Sequence, residues 1–290
     1  QLKTSRSRPL AIAGAFAASL LVLTACSSGG GSDKTAASAE ECVPQAEFDT
    51  VVPGTLTVAG IQQLPGLDLN VTTGEIEGLD SVLLVGFAEA NCLEIDIQPL
   101  PGPAAMAAMT EGKADVGGGG WYATPERGKV LGQIDPIWWD QRGVIAPKSY
   151  KTINELKGLK MGIVGGSVFE GPLGDAIGAD NVVLYQSIDA VFEDLLAGRI
   201  DAAMAAGATA TIQVADRGLD ELKVSIIEPD EAYPDLTAPG EVNYPYTKSN
   251  TALGEALNAY VQEARADGTV ADKLAEYGVT GEVALEGPQQ

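Results

Sequence analysis

Gly117–Gly120 is a run of four glycines, followed at once by the aromatic pair Trp121 and Tyr122. Glycines after a strand let backbone N–H groups approach a ligand without side-chain obstruction, and aromatic faces can stack on an apolar group or hold an alkylammonium. The run lacks the Gly-Lys-Ser/Thr ending of a phosphate loop. This segment therefore indicates close backbone contact with a small ligand rather than phosphate binding.

The composition excludes several kinds of chemistry. The 290 residues include no histidine, which removes Ser-His-Asp and Cys-His relays and His-ligated zinc. With 18 Lys+Arg against 40 Asp+Glu, the formal net charge of −22 argues against a nucleic-acid partner. A hydrophobic content of 45% is enough for a buried core. The chain is expected to bind rather than catalyse, and we predict neither a metal nor a cofactor.

The elements that position the glycine run are those of an α/β fold, because short β-like runs alternate with helical stretches from residue 54 onward. The segments Ala108–Val116 and Leu195–Ala202 share one pattern, in which a helix, a glycine and a cation precede an Asp that opens a strand. The repeat predicts two similar α/β halves that face each other across a cleft. The alternative is a coincidence, because glycine and charged residues are common in the turns that connect helices to strands.

The N-terminal segment predicts export. Three basic residues precede an apolar run, 9–23, which is too short to span a bilayer comfortably. The run ends in Leu-Thr-Ala before Cys26, an order that resembles the lipobox of bacterial lipoproteins, in which the cysteine is lipidated. We expect a signal peptide over 1–25, a flexible tether over 26–42, and a lipid anchor on the outer face of a bacterial cell membrane. An ordinary secretory signal is the alternative.

Cys42 and Cys92 are the two cysteines that remain. In an oxidising extracellular environment they could form a disulfide that attaches the end of the tether to the domain. Two unpaired thiols are the alternative.

Eight short segments occur in an order and spacing typical of one protein family. They are Gly54–Val58, Gly74–Asp80, Gly112–Asp115, Thr124–Arg127, Leu156–Gly162, Gly198–Ala203, Leu257–Asn258 and Ala266–Thr269. Together they resemble the bacterial extracellular solute-binding proteins of ABC importers, in the polar amino-acid-binding group. The resemblance implies the two-lobed periplasmic-binding-protein type 2 fold, an α/β fold in which two crossover strands form a hinge. Lobe 1 would comprise 43–143 plus 240–290, and lobe 2 would comprise 144–239.

Arg127 is the principal ligand contact that the resemblance implies. The Arg of the family's Thr-x-x-Arg motif binds the ligand's carboxylate through two parallel, charge-assisted hydrogen bonds. A surface arginine paired with a nearby acid is the alternative. The other expected contacts are Gly119, Gly120, Trp121, Tyr122 and Trp138 from lobe 1, with packing as the alternative for Trp138, and Gly166 and Ser167 from lobe 2.

Ala206 departs from the family pattern. Amino-acid binders of this group carry an Asp at this position, five residues after the Asp that corresponds to Asp201, and it pairs with the ligand's α-ammonium. A second acid of the family pattern is replaced by Val82. Either another acid such as Glu170 takes the ammonium, or the ligand lacks a primary one. The expected ligand is a carboxylate-bearing amino acid or amino-acid derivative.

The resulting hypothesis is a lipid-anchored, monomeric substrate-binding component of an ABC importer, with the permease and ATPase as its membrane partners. One alternative is a lipoprotein that reports its ligand state to a membrane partner. Another is a dehydratase or lyase on the same scaffold, which would need carboxylates such as Glu170 or Asp175 as acid and base.

Overall fold

The structure, a computed structural model, describes residues 42–288. The strands are β1 (Thr55–Gly60), β2 (Asp68–Asn70), β3 (Glu75–Glu77), β4 (Glu94–Pro99), β5 (Val116–Gly118), β6 (Trp121–Tyr122), β7 (Leu131–Gln133), β8 (Trp138–Asp140), β9 (Arg142–Ala146), β10 (Met161–Val164), β11 (Val182–Tyr185), β12 (Ala202–Ala206), β13 (Lys223–Ile226), β14 (Gly240–Asn243) and β15 (Pro245–Thr247). The α-helices are α1 (Asp80–Ala90), α2 (Gly102–Thr110), α3 (Pro125–Val130), α4 (Glu170–Ile177), α5 (Ile188–Leu196), α6 (Gly207–Asp216), α7 (Pro234–Thr237), α8 (Thr251–Ala266), α9 (Thr269–Glu276) and α10 (Glu282–Glu286).

Lobe 1 is built on a five-stranded sheet in the order β4-β1-β5-β15-β7. Strand β1 runs parallel to β4 and β5, whereas β15 is antiparallel to β5 and β7. Helix α1 buries Leu83, Leu84 and Phe87 in the same core as Leu56 and Val58 of β1, all at most 1% exposed. Burial of these apolar side chains is the main force that holds the helix on the sheet.

Lobe 2 has a second five-stranded sheet in the order β11-β10-β12-β9-β13. Strand β10 is parallel to β11 and β12, and β9 is antiparallel to β12 and β13. Helix α5 turns Val191, Phe192 and Leu195 inward, which is the amphipathic spacing expected of a helix on a sheet. The mixed α/β architecture with two sheet-containing lobes confirms the predicted fold class.

A three-stranded antiparallel sheet in the order β6-β14-β8, here called the connecting sheet, joins the lobes. Strand β8 ends at Asp140, and β9 of lobe 2 begins at Arg142 after the single residue Gln141. The chain returns to the connecting sheet at Gly240. Both passages between the lobes therefore lie beside one small sheet.

The repeated aspartates have the same structural role in both lobes. The Asp115 carboxylate accepts a hydrogen bond from the N–H of Thr57 at 2.9 Å. The Asp201 carboxylate accepts one from the N–H of Lys160 at 2.8 Å. Each carboxylate therefore attaches the start of one strand to its parallel neighbour, which makes the repeat architectural.

Cys42 and Cys92 are joined by a disulfide with their Cα atoms 5.8 Å apart. Cys26, the expected lipidation site, and the expected signal peptide lie outside the described residues. Within 42–288, no helix combines the length and the apolar character needed to cross a membrane.

Candidate functional site

A cavity of about 280 Å³ lies between the two lobes. Its lining comes from the carboxyl ends of parallel strands in both lobes, β1 and β5 on one side and β10 and β12 on the other. This is the edge at which α/β sheets commonly bind ligands. The cavity is near the lower end of the range for small-molecule sites, about 300–1,000 Å³.

Seven of the predicted contacts line this cavity. They are Gly119, Gly120, Trp121, Tyr122 and Arg127 from lobe 1 and the connecting sheet, and Gly166 and Ser167 from lobe 2. The structure thus brings together the glycine run, the arginine motif and the lobe 2 turn, which are far apart in the sequence.

The glycine turn after β5 requires glycine for two reasons. Gly119 and Gly120 have φ angles of +92° and +83°, a backbone conformation that side chains disfavour. A Cβ on Gly119 would also lie 1.8 Å from the carbonyl oxygen of Ile61. The N–H of Gly119 is engaged within lobe 1, because it donates to the Asp80 carboxylate at 2.8 Å. Among the described residues the N–H of Gly120 has no such partner, so it is the amide left for a ligand.

Asp80 is the buried residue that holds this turn. Its second oxygen accepts a hydrogen bond from the Tyr244 hydroxyl at 2.7 Å. Burial raises the pKa of Asp80 to about 7, and the hydrogen bonds from Tyr244 and Gly119 act in the opposite direction. No motif in the sequence predicted this role, although an acid inside the apolar stretch from Leu79 to Leu84 was an available signal.

Arg127 is placed by the motif that predicted it. The Thr124 hydroxyl accepts a hydrogen bond from the Arg127 N–H at 3.1 Å and so caps helix α3, with Pro125 in the first turn. The guanidinium donates to the carbonyl of Tyr122 at 2.8 Å and lies 4.9 Å from the centroid of the Trp121 ring. The motif therefore fixes the start of the helix and aims the side chain at the cavity.

No carboxylate of the described chain lies within 4 Å of the Arg127 guanidinium. Burial lowers the pKa of Arg127 to about 10, so the side chain stays protonated at neutral pH. A charged guanidinium with unused N–H groups, in a largely buried position, fits a carboxylate in bidentate geometry.

Lobe 2 contributes a tight turn between β10 and α4. The Gly166 N–H donates to the Glu170 carboxylate at 2.8 Å, and the buried Oγ of Ser167 has no hydrogen-bond partner among residues 42–288. The Ser167 hydroxyl is therefore available to a ligand, whereas the Gly166 amide is engaged within the turn.

Glu170 and Trp138 do not line the cavity. Glu170 is an exposed residue at the start of α4, and its carboxylate folds back onto Gly166. Trp138, 2% exposed, faces a different cavity of about 380 Å³ between the connecting sheet and the C-terminal segment 277–284. The structure therefore places Glu170 in the turn between β10 and α4, and Trp138 away from the cavity between the lobes.

Arg142 and Asp140 form a buried polar group that the sequence analysis missed. The Arg142 guanidinium carbon lies 4.4 Å from the Tyr122 ring centroid and 5.2 Å from that of Phe169. Asp140 accepts hydrogen bonds from the Tyr122 hydroxyl at 3.2 Å and from the N–H of Ala208 at 3.1 Å. Burial raises the pKa of Asp140 to about 6, and the charge of Arg142 acts in the opposite direction. Two opposite charges within an apolar strand region were the signal for this group.

The remaining walls are mostly apolar. They include Ile61, Pro103 and Met106 from lobe 1 and Phe169, Ile188 and Met204 from lobe 2. Ala206 ends β12 at the cavity, and no acidic residue of the described chain lines the space. The site thus combines one cation, a few hydrogen-bonding groups and a largely apolar body.

The sequence model of the bacterial extracellular solute-binding proteins, family 3, matches residues 56–280. The chain belongs to this family. This solute-binding protein is 28% identical over 196 residues to a probable histidine-binding protein of Neisseria gonorrhoeae, covering 66% of this chain and 68% of the relative. It is 32% identical over 151 residues to ABC transporter arginine-binding protein 1 of Escherichia coli (strain K12), covering 52% of this chain and 60% of the relative.

Solved structures share the fold of this solute-binding protein. An ancestral arginine-binding protein bound to glutamine has a TM-score of 0.68 at 23% identity, covering 78% of this chain and 98% of the other. The arginine-, lysine-, histidine-binding protein ArtJ from Geobacillus stearothermophilus also has a TM-score of 0.68, at 18% identity, covering 79% and 97%. The periplasmic-binding-protein type 2 fold is confirmed. The relatives are binding proteins, and the prediction that the chain is not an enzyme is likewise confirmed.

Proposed function

We propose that this protein is the substrate-binding component of an ABC importer, and that it captures a small carboxylate-bearing solute, an amino acid or amino-acid derivative, between its lobes. The observation that carries the proposal is Arg127, a charged guanidinium that faces the cavity with no acidic partner in the described chain. The family membership and the relatives named for histidine and arginine support an amino-acid-like ligand.

In this proposal the lobes close on the ligand about the connecting sheet. Contacts across the cavity support such a movement, because the Thr209 hydroxyl of lobe 2 donates to the carbonyl of Leu64 in lobe 1 at 2.8 Å. A ligand that contacts Arg127 and Ser167 at once would stabilise the closed arrangement, and closure would present a defined surface to the permease.

The proposal includes export and lipid anchoring. Residues 1–25 would be removed as a signal peptide, Cys26 would carry the lipid, and 26–42 would tether the lobes, 43–143 plus 240–290 and 144–239, to the membrane. The order of charges, apolar run and cysteine supports this assignment. Incorporation of labelled palmitate in a bacterial host would test it; we expect label on the parent and none on Cys26→Ser, and equal labelling would contradict the anchor.

The ligand proposal is tested by calorimetric titration of the purified mature protein with a panel of small carboxylic acids, free and N-blocked amino acids included. We expect saturable binding that Arg127→Ala weakens by about 100-fold, since truncation removes the partner of a desolvated carboxylate. Lys129→Ala is the matched control, because Lys129 is an exposed cation on the same helix. Equal affinities for the parent and Arg127→Ala would contradict the proposal.

A further inference from the structure

We propose that the cavity selects acids that carry no cationic group, so that its ligand is an apolar carboxylic acid or an amino acid whose amine is blocked or absent. This inference rests on the proposed function and narrows its ligand class. It separates this protein from its relatives, whose names refer to arginine and histidine, both amino acids with a primary α-ammonium.

The first step concerns the end of β12. The Ala206 methyl is 6% exposed and lies at the cavity, so lobe 2 presents no charge at this strand end. Among the described residues no Asp or Glu lines the space from either lobe. A ligand ammonium that entered the cavity would therefore lose its water without gaining a carboxylate, and an unpaired buried charge is strongly disfavoured.

The nearby buried acids do not supply the missing charge. Asp80 accepts hydrogen bonds at both of its oxygens, from Tyr244 and from the Gly119 N–H. Asp140 accepts them at both of its oxygens, from Tyr122 and from the Ala208 N–H. Neither carboxylate lines the cavity, and burial raises the pKa of both. These acids serve the protein's own hydrogen bonds rather than a ligand cation.

The aromatic rings at the cavity already contact arginine side chains of the protein itself. The Arg127 guanidinium lies 4.9 Å from the Trp121 ring centroid, and the Arg142 guanidinium lies 4.4 Å and 5.2 Å from those of Tyr122 and Phe169. An alkylammonium on any of these rings would sit close to a like charge in a partly desolvated space, where Coulomb repulsion is larger than in water. The aromatic walls therefore do not replace the missing acid.

The cavity walls other than Arg127 suit a ligand whose carboxylate is attached to an uncharged remainder. Met106, Ile188 and Met204 offer apolar surface, and the Ser167 hydroxyl and Gly120 N–H offer neutral hydrogen bonds. A blocked amine such as an amide could use those neutral groups. A free ammonium could donate to neutral oxygens such as those of Gln63 and Ser167, but these would offset less of the cost of removing it from water than a carboxylate would.

The test compares matched ligands by calorimetry at neutral pH. Leucine, phenylalanine, glutamine, histidine and arginine are each titrated as the free amino acid, its N-acetyl derivative, its N-trimethyl derivative and the acid without the amine. We expect the best N-acetyl or amine-free acid of leucine, phenylalanine or glutamine to bind roughly tenfold or more tightly than its parent amino acid, and the free and N-trimethyl forms of each to be weakest. All four arginine forms should bind weakly, because each keeps its guanidinium.

Ala206→Asp sharpens the test, because it introduces the acid at the end of β12. We expect it to strengthen binding of the free amino acids by roughly tenfold or more relative to the amine-free acids, whereas Ala206→Asn, of similar size and neutral, gives no such relative gain. The order of ligand affinities measured on the unmodified protein tests the inference even if the variants do not fold.

A free or N-trimethyl amino acid that binds the unmodified protein more tightly than its amine-free counterpart would overturn the inference. If that binding still depended on Arg127, the proposed function would survive. If no acid of the panel bound and Arg127→Ala changed nothing, both the inference and the proposed function would fail.

Discussion

The two lobes share one framework and differ in what they bring to the cavity. In both, an Asp attaches the start of one strand to its parallel neighbour, through Asp115 in lobe 1 and Asp201 in lobe 2. Beyond these aspartates, β5 leads to a glycine turn with positive φ angles that Asp80 holds, whereas β12 ends in alanines. Arg127, the one cationic side chain among residues 42–288 that lines the cavity, comes from lobe 1.

This difference teaches that architecture and recognition are separable in the protein. The aspartates that repeat along the sequence serve strand pairing, and the residues that face the ligand do not repeat. The proposed function therefore implies a division of labour, in which lobe 1 would bind the ligand's carboxylate and lobe 2 would close over the rest of the ligand with apolar surface and the Ser167 hydroxyl, which is unpaired within the described chain.

The largest expected effect concerns the disulfide, which belongs to lobe 1. Cys42 and Cys92 are 50 residues apart in sequence, and loss of a cross-link of that span costs about 4 kcal/mol in unfolding free energy. Urea unfolding with and without reductant measures the loss, and hydrogen exchange should show β1 weakened more than β10. The double variant Cys42→Ala/Cys92→Ala is the control, since reductant should not affect it. Unchanged stability of the parent on reduction would count against a structural disulfide.

The next effect is a pH dependence that originates at Asp80. Because burial raises the pKa of Asp80 to about 7 from 3.8, the folded protein holds this proton more tightly than the unfolded chain does. The protonated Asp80 therefore adds to the free energy of unfolding at acidic pH, and this contribution is lost as the pH rises through 7. Between about pH 5 and about pH 8 the loss is about 2 to 3 kcal/mol.

Asp80→Asn should flatten that part of the pH profile of unfolding free energy. Asp140, whose pKa burial raises to about 6, contributes with the same sign and remains in the variant. Asp216→Asn, at an exposed position, is the control and should keep the parent's slope. Identical slopes for the parent and Asp80→Asn would show that Asp80 is ionised without cost in the folded state.

The glycine turn gives a smaller effect with a close control beside it. Gly119→Ala and Gly120→Ala impose similar backbone strain, but only the Cβ at 119 meets backbone, 1.8 Å from the Ile61 carbonyl oxygen. We expect Gly119→Ala to lower the free energy of unfolding by about 2 kcal/mol more than Gly120→Ala does, a difference typical of the cost of forcing extra atoms into a packed site. Thermal denaturation of the two variants measures the difference, and equal melting temperatures would contradict a steric clash between a side chain at 119 and the Ile61 backbone.

The smallest effect tests the contact between the lobes. Thr209→Val removes the hydroxyl that donates to the Leu64 carbonyl. We expect this loss to destabilise the closed arrangement of the lobes by about 1 kcal/mol and so to weaken ligand binding about fivefold. Thr211→Val is the matched control, because its hydroxyl donates within the same helix to Gly207 at 2.9 Å. If the two substitutions changed the ligand affinity equally, the Thr209 hydroxyl would have no specific role in closure.

Local signals in the sequence predicted most of the framework. The spacing of Val191, Leu195 and Leu196 is typical of an amphipathic helix, and α5 lies there with Val191 and Leu195 buried and Leu196 exposed. The connecting sheet was out of reach of such reasoning, because β6 and β8 are two and three residues long and gain their pairing from β14, about a hundred residues later. Strands of that length carry no readable period.

The cavity could be predicted only where a motif marked it. The Thr-x-x-Arg segment and the glycine run located Arg127 and the turn, but Met106, Phe169 and Ile188 reach the cavity through tertiary packing and look like ordinary core residues in the sequence. Glu170 lies near Ser167 in sequence but not in the cavity lining, because its carboxylate turns back to the Gly166 amide, and no pattern in the sequence shows that turn.

A crystal structure of the mature protein with its retained ligand, purified without refolding, tests the division of labour between the lobes most directly. We predict a carboxylate bound by Arg127 through hydrogen bonds of about 2.7–2.9 Å, with an uncharged body against Met106, Ile188 and Met204 and no ligand cation near Ala206. A ligand whose anionic group faces lobe 2, or one that places an ammonium at Ala206, would contradict it.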